Sequence, residues 1–423
     1  MEIDGKNINC NPSADGNTAA YPIVLLRPYH NISRKLIDKD ALTVLYRLKN
    51  AGYTAYLVGG AVRDLLLGIT PKDFDVGTDA HPNEIKSLFK NCYLIGRRFR
   101  LAHIHFGKGK IIETATFRKN ISHKLFENEN VHPHIAMRRD NTFGTPEEDA
   151  FRRDFTINAL FYDIRTFSVI DYTGGLADIQ KRIIRSIGPP EMRYREDPVR
   201  MMRAIRLAAR LNFTMEEETA EAIHVCFSDI NVASPARLLE EIYRLFQYGC
   251  SAAVFRLLIQ YELFEQLFPH AAKVFEGCEG ESYSLVDYLD TMDLLMQQNI
   301  TLTPEIMIGV VYLPLFLNIV VKKDKTGNVN FCKHTAASIL KPFFLKYRPP
   351  KIVYHRLVNI YGNMFYLLSR KNIDSMKLGW CRDWLRYAVV IMKTIVNTEK
   401  WGDNALLEKI EKRCWPHHNP CNH

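Results

Sequence analysis

The sequence predicts an α+β protein: a small mixed sheet with short helices in its N-terminal part, followed by a mostly helical remainder. Three observations carry this reading. Between residues 55 and 175, short alternating apolar runs recur between glycine turns, which is the period-2 signature of strands. From about Thr214 onward, apolar residues recur at three- and four-residue spacing instead. At 423 residues the chain is long enough for more than one core, so the two patterns can belong to separate domains.

Composition bounds the function. Hydrophobic residues make up 47% and charged residues 24% of the chain, ordinary values for a globular protein. A net charge of +9 favours a polyanionic partner, nucleic acid before membrane. The nine cysteines are scattered without a C-x-x-C pair, which argues against a zinc site or a disulfide framework and for a reducing cytoplasm. The first 20 residues lack the apolar core of a secretory signal. The most apolar run, 306–321, is shorter than the ~20 residues of a membrane span and is interrupted by Pro314 and Asn318. It reads as a buried helix, and no membrane partner is expected.

In order, residues 1–29 read as a flexible leader. Residues 38–50 have apolar side chains at 42, 45 and 48 and predict a helix ended by Gly52. A strand over 55–58 runs into Gly59 and Gly60, and a short helix follows to Gly68. Strand, glycine pair and helix start suit a phosphate, because bare backbone and free helix N–H groups can approach it. Arg63 in the first turn opposes the helix dipole unless an anion offsets it. A plain tight turn is the alternative; the missing G-x-G-x-x-G spacing argues against a dinucleotide fold. Next comes Pro71-Lys-Asp-Phe-Asp-Val76, read as a strand. Asp73 and Asp75 would share one face of it. Two neighbouring carboxylates repel, and a divalent cation such as Mg²⁺ between them makes sense of the pair; a solvated strand edge is the competing reading.

A helix is predicted over 81–89, then the basic run 94–104, then a strand over 110–118 carrying Glu113. That glutamate is either at a solvent-facing edge or a third acidic group near Asp73 and Asp75. Residues 119–150 read as a polar loop over the site, with His132 and His134 as weak metal-ligand candidates. The run 151–160, Phe-Arg-Arg-Asp-Phe-Thr-Ile-Asn-Ala-Leu, predicts a helix start or strand-to-helix junction. Guanidinium forks match phosphate oxygens, while Asp and Asn can read ribose hydroxyls. Further on, Asp197 is placed as an N-cap with Pro198 behind it. Arg200, Arg203, Arg206 and Arg210 then fall within about a third of the helix circumference. They could hold a triphosphate and read a base edge, or simply be solvated. Helices are predicted over 219–227, 236–248, 252–264, 285–296, 305–321, 335–345, 353–368 and 375–398, with a loose tail over 414–423.

Taken together, four motifs resemble the class II template-independent nucleotidyltransferases, the superfamily of tRNA CCA-adding enzymes and bacterial poly(A) polymerases. They are Leu57-Val-Gly-Gly-Ala-Val-Arg-Asp-Leu-Leu-Leu-Gly68, Lys72-Asp-Phe-Asp-Val76, Arg152-Arg-Asp-Phe-Thr-Ile-Asn-Ala159 and Arg195-Glu-Asp-Pro-Val-Arg-Met-Met-Arg203. The resemblance covers about residues 28–270. Leu94-Ile-Gly-Arg-Arg-Phe-Arg-Leu-Ala-His103, Tyr29-His-Asn-Ile-Ser-Arg34 and the run 187–197 are similar to the poly(A) polymerase I branch. The resemblance implies a polymerase-β-like catalytic head over 30–185, a helical neck with the base-recognition motif over 186–270, and a helical RNA-binding or support region over 271–423. It implies that Asp73 and Asp75 bind two Mg²⁺ (or Mn²⁺) with help from Glu113, and that Asp154 is an active-site carboxylate. Gly59, Gly60, Arg63, Arg153 and Asn158 would hold phosphates and ribose. Asp197 and Arg200 would meet the base, with Arg203 and Arg206 near phosphate. Arg97, Arg98 and Arg100 would contact RNA.

The expected activity is therefore addition of AMP from ATP to RNA 3′ ends, feeding RNA turnover in the cytoplasm. A CCA-adding enzyme is the alternative, and a non-catalytic RNA-binding relative a remote one. Such a relative should have lost one of Asp73, Asp75 or Arg153, and all three are present.

Overall fold

The computed structural model describes residues 22–96, 100–119, 143–268, 270–272, 284–298, 300–323, 328–368, 384–399, 405 and 407–410. Arg97, Arg98, His132, His134, residues 1–21 of the expected leader, most of the expected loop and the 414–423 tail lie outside them. The contact pattern divides the chain into two compact units, 1–200 with 212–222, and 201–211 with 223–423.

The first unit is built on a mixed sheet. In chain order its strands are β1 (Ile23–Leu25), β2 (Ala55–Val58), β3 (Asp75–Thr78), β4 (Cys92–Ile95), β5 (Leu101–His105), β6 (Ile111–Thr116), β7 (Leu160–Asp163) and β8 (Ser168–Asp171). Their spatial order is β1-β8-β7-β2-β3-β6-β5-β4. Most neighbours are antiparallel, while β3 and β6 run parallel. Eight strands make this sheet larger than the small one expected. One reason is β1, which pairs antiparallel with β8 through Ile23 and Asp171. Residues 22–29 are thus not a loose leader: an edge strand leaves backbone groups unpaired, and β1 satisfies those of β8.

Helix α1 (Lys39–Asn50) starts at Asp38, whose carboxylate accepts from the N–H groups of Asp40 and Ala41. Its Val44, Leu45 and Leu48 pack with Leu57, Val76, Ile104 and Ile112 in the main core of this unit. Burying such side chains contributes roughly 1.5–3 kcal/mol each, which is why the one-face helical pattern over 38–50 predicted the element. Helices α2 (Gly60–Leu66), α3 (Pro82–Leu88), α4 (Pro146–Phe151), α5 (Gly175–Lys181) and α6 (Pro190–Glu196) complete the layers. The expected loop therefore ends in helix α4, which begins with a Thr145–Glu148 capping box. A two-residue parallel ladder between β9 (Ile183–Ile184) and β10 (Thr214–Met215) interrupts the helical pattern expected from Thr214.

Helix α7 (Val199–Leu211) carries the chain from the first unit into the second. The second unit is helical among the described residues, with α8 (Glu217–Cys226) closing the return into it. It continues through α9 (Pro235–Arg244), α10 (Ser251–Gln260), α11 (Leu263–Leu267), α12 (Leu285–Gln297), α13 (Pro304–Lys323), α14 (Val329–Tyr347), α15 (Lys351–Leu368) and α16 (Leu385–Glu399). Its core is aromatic: Phe268 stacks on Phe343 with 5.9 Å between ring centroids, and the Tyr347 hydroxyl donates to the carbonyl of Leu267 at 2.8 Å. Pro314 lies inside α13, and the helix predicted over 305–321 runs through it. By length and composition α13 could cross a membrane, yet 78% of its apolar stretch is buried inside the protein.

Candidate active site

The functional motifs meet at one end of the sheet. Strand β2 ends at Val58, which pairs with Asp75 on one side and Phe161 on the other. The chain then turns at Gly59, whose N–H donates to the carbonyl of Leu160 at 3.0 Å. Gly59 has φ +73 and ψ −134, a conformation open only to glycine at low cost. A Cβ there would lie 2.9 Å from Nη1 of Arg153. We predict that Gly59→Ala costs about 1–3 kcal/mol of backbone strain and displaces Arg153, read as a lower midpoint in denaturant melts.

Strand β3 begins at Asp75, so Asp73 lies in the irregular lead-in and the pair does not share one strand. The reason is local: β2 turns away at Gly59, and no partner remains for residues before Asp75. Both aspartates keep exposed surface. Asp75 nonetheless sits among protein atoms at the foot of the turn, and its pKa is pushed up to about 6. Desolvation is the main cause, Glu113 and Asp73 add to it, and Arg153 opposes. Glu113, on β6 beside β3, lies on the exposed face of its strand, opposite His103, with its Oε1 3.6 Å from Nε2. Among the described residues no three Asp, Glu, His or Cys side chains form a metal-binding group. Glu113 acts on Asp75 through its field.

The 151–160 run is the reverse of the expected junction. Helix α4 ends at Phe151, a 3-10 turn spans Thr156–Asn158, and β7 begins at Leu160. Asp149, 2% exposed and not anticipated from the sequence, organises it. One carboxylate oxygen accepts from Nε and Nη2 of Arg152 at 2.9 and 2.5 Å, the other from Nε and Nη2 of Arg153 at 3.0 and 2.9 Å. Burial alone would raise the Asp149 pKa, but Arg153 and then Arg152 pull it below its usual value. So fixed, Arg153 donates from Nη1 to the Asn158 carbonyl at 3.2 Å and lies over the Phe161 ring. Asp154 is 7% exposed and accepts from the Phe155 N–H at 2.8 Å and from Asn158 Nδ2 at 3.3 Å. Arg63 turns inward and is 3% exposed. It binds Asp64 through Nε and Nη2 at 2.9 and 2.7 Å and Asn158 Oδ1 through Nη1, so it braces α2 to the turn instead of opening toward a phosphate. A buried guanidinium needs that counter-charge.

A second unanticipated residue, Arg193 on α6, is 4% exposed. Its Nη2 donates to the carbonyls of Arg152 and Arg153 at 2.8 and 2.7 Å, and its Nη1 to Glu196 at 2.8 Å. Desolvation, then Arg200, lowers its pKa to about 10, against Glu196 and Asp154. Arg200 in turn donates to the Arg193 carbonyl at 3.0 Å and to Glu196 at 3.2 Å. Asp197 is not a simple N-cap: it links α6 to α7 and is 7% exposed. Within the second unit, Arg206 pairs with the buried Glu241 at 3.5 Å and the Arg210 guanidinium lies 3.8 Å from the Tyr248 ring centre. The arginine stripe is thus largely engaged, neither a solvated face nor a free phosphate clamp. Arg203 lies on the same helix between them, and Arg100 stands exposed just before β5.

Comparison with known proteins fits this geometry. Residues 55–185 match the family model for the poly A polymerase head domain. Residues 212–275 match the model for a probable RNA and SrmB-binding site of polymerase A. The chain is 52% identical to Salmonella typhimurium poly(A) polymerase I over 256 residues, covering 60% of this chain and 54% of that protein. It thus spans about half the length of the curated relatives first matched. The Haemophilus influenzae poly(A) polymerase I is 41% identical over 303 residues, 70% of this chain and 67% of that protein. Among solved structures, the Bacillus stearothermophilus CCA-adding enzyme in complex with CTP superposes with a TM-score of 0.63 at 25% identity, covering 89% of this chain and 81% of that one. Two thirds of the Haemophilus protein is matched at that identity, and the chain belongs to the bacterial poly(A) polymerase I family.

Proposed function

We propose that this protein adds AMP from ATP to RNA 3′ ends without a template, releasing pyrophosphate and feeding RNA turnover in the cytoplasm. The observation that carries the reading is the convergence of Asp75, the Gly59 turn and the clamped Arg153 at one end of the sheet. Asp73 and Asp75 are hard oxygen donors in mutual repulsion and would hold Mg²⁺ or Mn²⁺, which supplies Lewis-acid activation of the RNA 3′ hydroxyl and offsets charge at the leaving phosphates. Arg153 presents fixed positive charge beside the triphosphate without reorganising, since Asp149 already holds it. Asp154 and Asn158 orient the ribose. Asp197 and Arg200 offer an acceptor and donors to one base edge, so a base that leaves them unpaired is rejected.

The likeness to a CCA-adding enzyme favours a second reading, addition of C, C and A to tRNA. Incubating the pure protein with a generic RNA and with truncated tRNA, one nucleoside triphosphate at a time, separates them. Long A-tails on the generic RNA are expected; addition confined to C, C and A on tRNA overturns the proposal. No incorporation with any nucleotide would point to a non-catalytic relative.

Asp75 also gives a pH prediction. Its folded pKa lies above the ordinary value of 3.8, so its charged form carries a folding cost above about pH 6 that disappears as pH falls. Protons and cations then compete for it. The Mg²⁺ concentration needed for half-maximal tailing should rise as pH drops from 7.5 to 5.5, and Asp75→Asn should abolish that competition in a direct cation-binding titration.

A further inference from the structure

The run Tyr29–Arg34 is left unused by the site above, and the structure places it at the other end of the sheet. Strand β7 starts beside Gly59 and ends at Asp163, and the turn 164–167 that follows carries Phe167. The two ends are separated by at least the four residues of β7, roughly 13 Å at about 3.3 Å per residue. His30, 8% exposed, fastens the N-terminal run to this turn. Its Nδ1 accepts from the Ile32 N–H at 3.2 Å, so Nε2 carries the proton and donates to the Phe167 carbonyl at 2.9 Å. Phe167 itself has φ +54, a strained value for an aromatic residue.

This construction holds two cations against one ring. The guanidinium carbons of Arg27 and Arg34 lie 5.5 and 4.7 Å from the Phe167 centroid. Arg34 also donates to the Tyr46 hydroxyl at 2.7 Å. Among the described residues Arg27, Arg34 and Lys35 make no ion pair, although all three are exposed. Of the carboxylates on neighbouring segments, Asp38 and Asp40 are both paired with Lys110, and Asp163 with Lys49. Two rings lie among these cations with open surface, Tyr29 at 45% and Tyr46 at 37%.

Cations without carboxylate partners beside exposed aromatic rings match a flexible polyanion with stackable bases. Prior fixation by His30 and Phe167 lowers the ordering cost of binding one. We propose that the face formed by residues 27–35, Tyr46 and the β7–β8 turn is a second contact for single-stranded RNA, separate from the 3′-end site. The inference rests on RNA being the polymer this protein handles, but not on which nucleotide it adds.

The test uses the whole chain and fluorescent single-stranded RNAs of about 30 and about 3 nucleotides with blocked 3′ ends, so no addition occurs. Anisotropy is read across salt for the wild type and two variants, Arg34→Glu/Lys35→Glu and Arg27→Ala/Lys35→Ala. Each variant should lose about tenfold in affinity for the 30-mer, with a salt slope shallower by about two. The 3-mer, about 10 Å long when stacked at about 3.4 Å per nucleotide, is too short to bridge the two ends and should bind as before. Because the second variant keeps Arg34 and its bond to Tyr46, a misfolded first variant does not decide the matter. Unchanged 30-mer binding in the second variant overturns the proposal, and so does an equal loss for both RNAs.

Discussion

Asp75→Asn is expected to lower the rate of AMP addition by about three orders of magnitude or more while leaving the protein at least as stable. The two effects have different origins. Under the proposed role in holding a cation, losing the Asp75 carboxylate would remove several kcal/mol of transition-state charge stabilisation, and each 1.36 kcal/mol is tenfold in rate. In the folded chain, however, the charged Asp75 is desolvated and repelled by Glu113 and Asp73. An isosteric neutral side chain removes that repulsion. Single-turnover tailing with saturating ATP and a urea melt without divalent cation would show the two effects moving in opposite directions. A variant that still tails at near wild-type rate removes Asp75 from the chemistry. One that unfolds makes the residue structural.

The contrast between activity and stability also shows what kind of residue the sequence makes visible. Asp73, Asp75 and the Gly59–Gly60 turn stood out because their chemistry is odd for their local context: like charges side by side, and glycines between a strand and a helix. The long helices were legible because burial of one face imposes a period. What stayed hidden was the set of contacts between distant segments. Arg63 meets Asn158 across 95 residues, and Arg193 meets the Arg152 carbonyl across 41. No local pattern predicts whether an arginine beside a glycine turn faces a ligand or turns inward to a residue 95 positions away. The stripe on α7 fails for the same reason. Its geometry was readable, but its partner Glu241 lies 35 residues beyond Arg206. Helix α4 is different, because Thr145-Pro-Glu-Glu148 is a capping-box signature within the polar run. Taken as a helix start, it would have put Asp149 at i, i+3 and i+4 from Arg152 and Arg153, where ion pairs form.

Asp149 supplies the second large effect, and there stability and activity should fall together. Its carboxylate takes four N–H donors from Arg152 and Arg153 and a fifth from the Arg118 backbone at 3.2 Å. Removing one partner of a buried pair leaves charge uncompensated at about 3–5 kcal/mol. Here the lower end applies, about 3 kcal/mol, because the two guanidiniums keep 29% and 20% of their surface and can recover some hydration. Asp149→Ala should therefore lower the urea midpoint markedly. It should also lower kcat for AMP addition well over tenfold, since Arg153 loses the support that aims it at Asp75. Asp149→Asn keeps the shape and two acceptor lone pairs, so it should retain more stability than alanine but not the charge that fixes both forks. The pH dependence separates this from simple core damage. The folded pKa of Asp149 is depressed, so its contribution is complete above the ordinary value of 3.8 and is lost as pH falls further, through the folded pKa. The wild type should thus lose stability steeply below about pH 4, and Asp149→Asn should lack that part of the acid limb. If the variant shows the same acid limb as the wild type, Asp149 is not the carboxylate that ties these arginines to the fold.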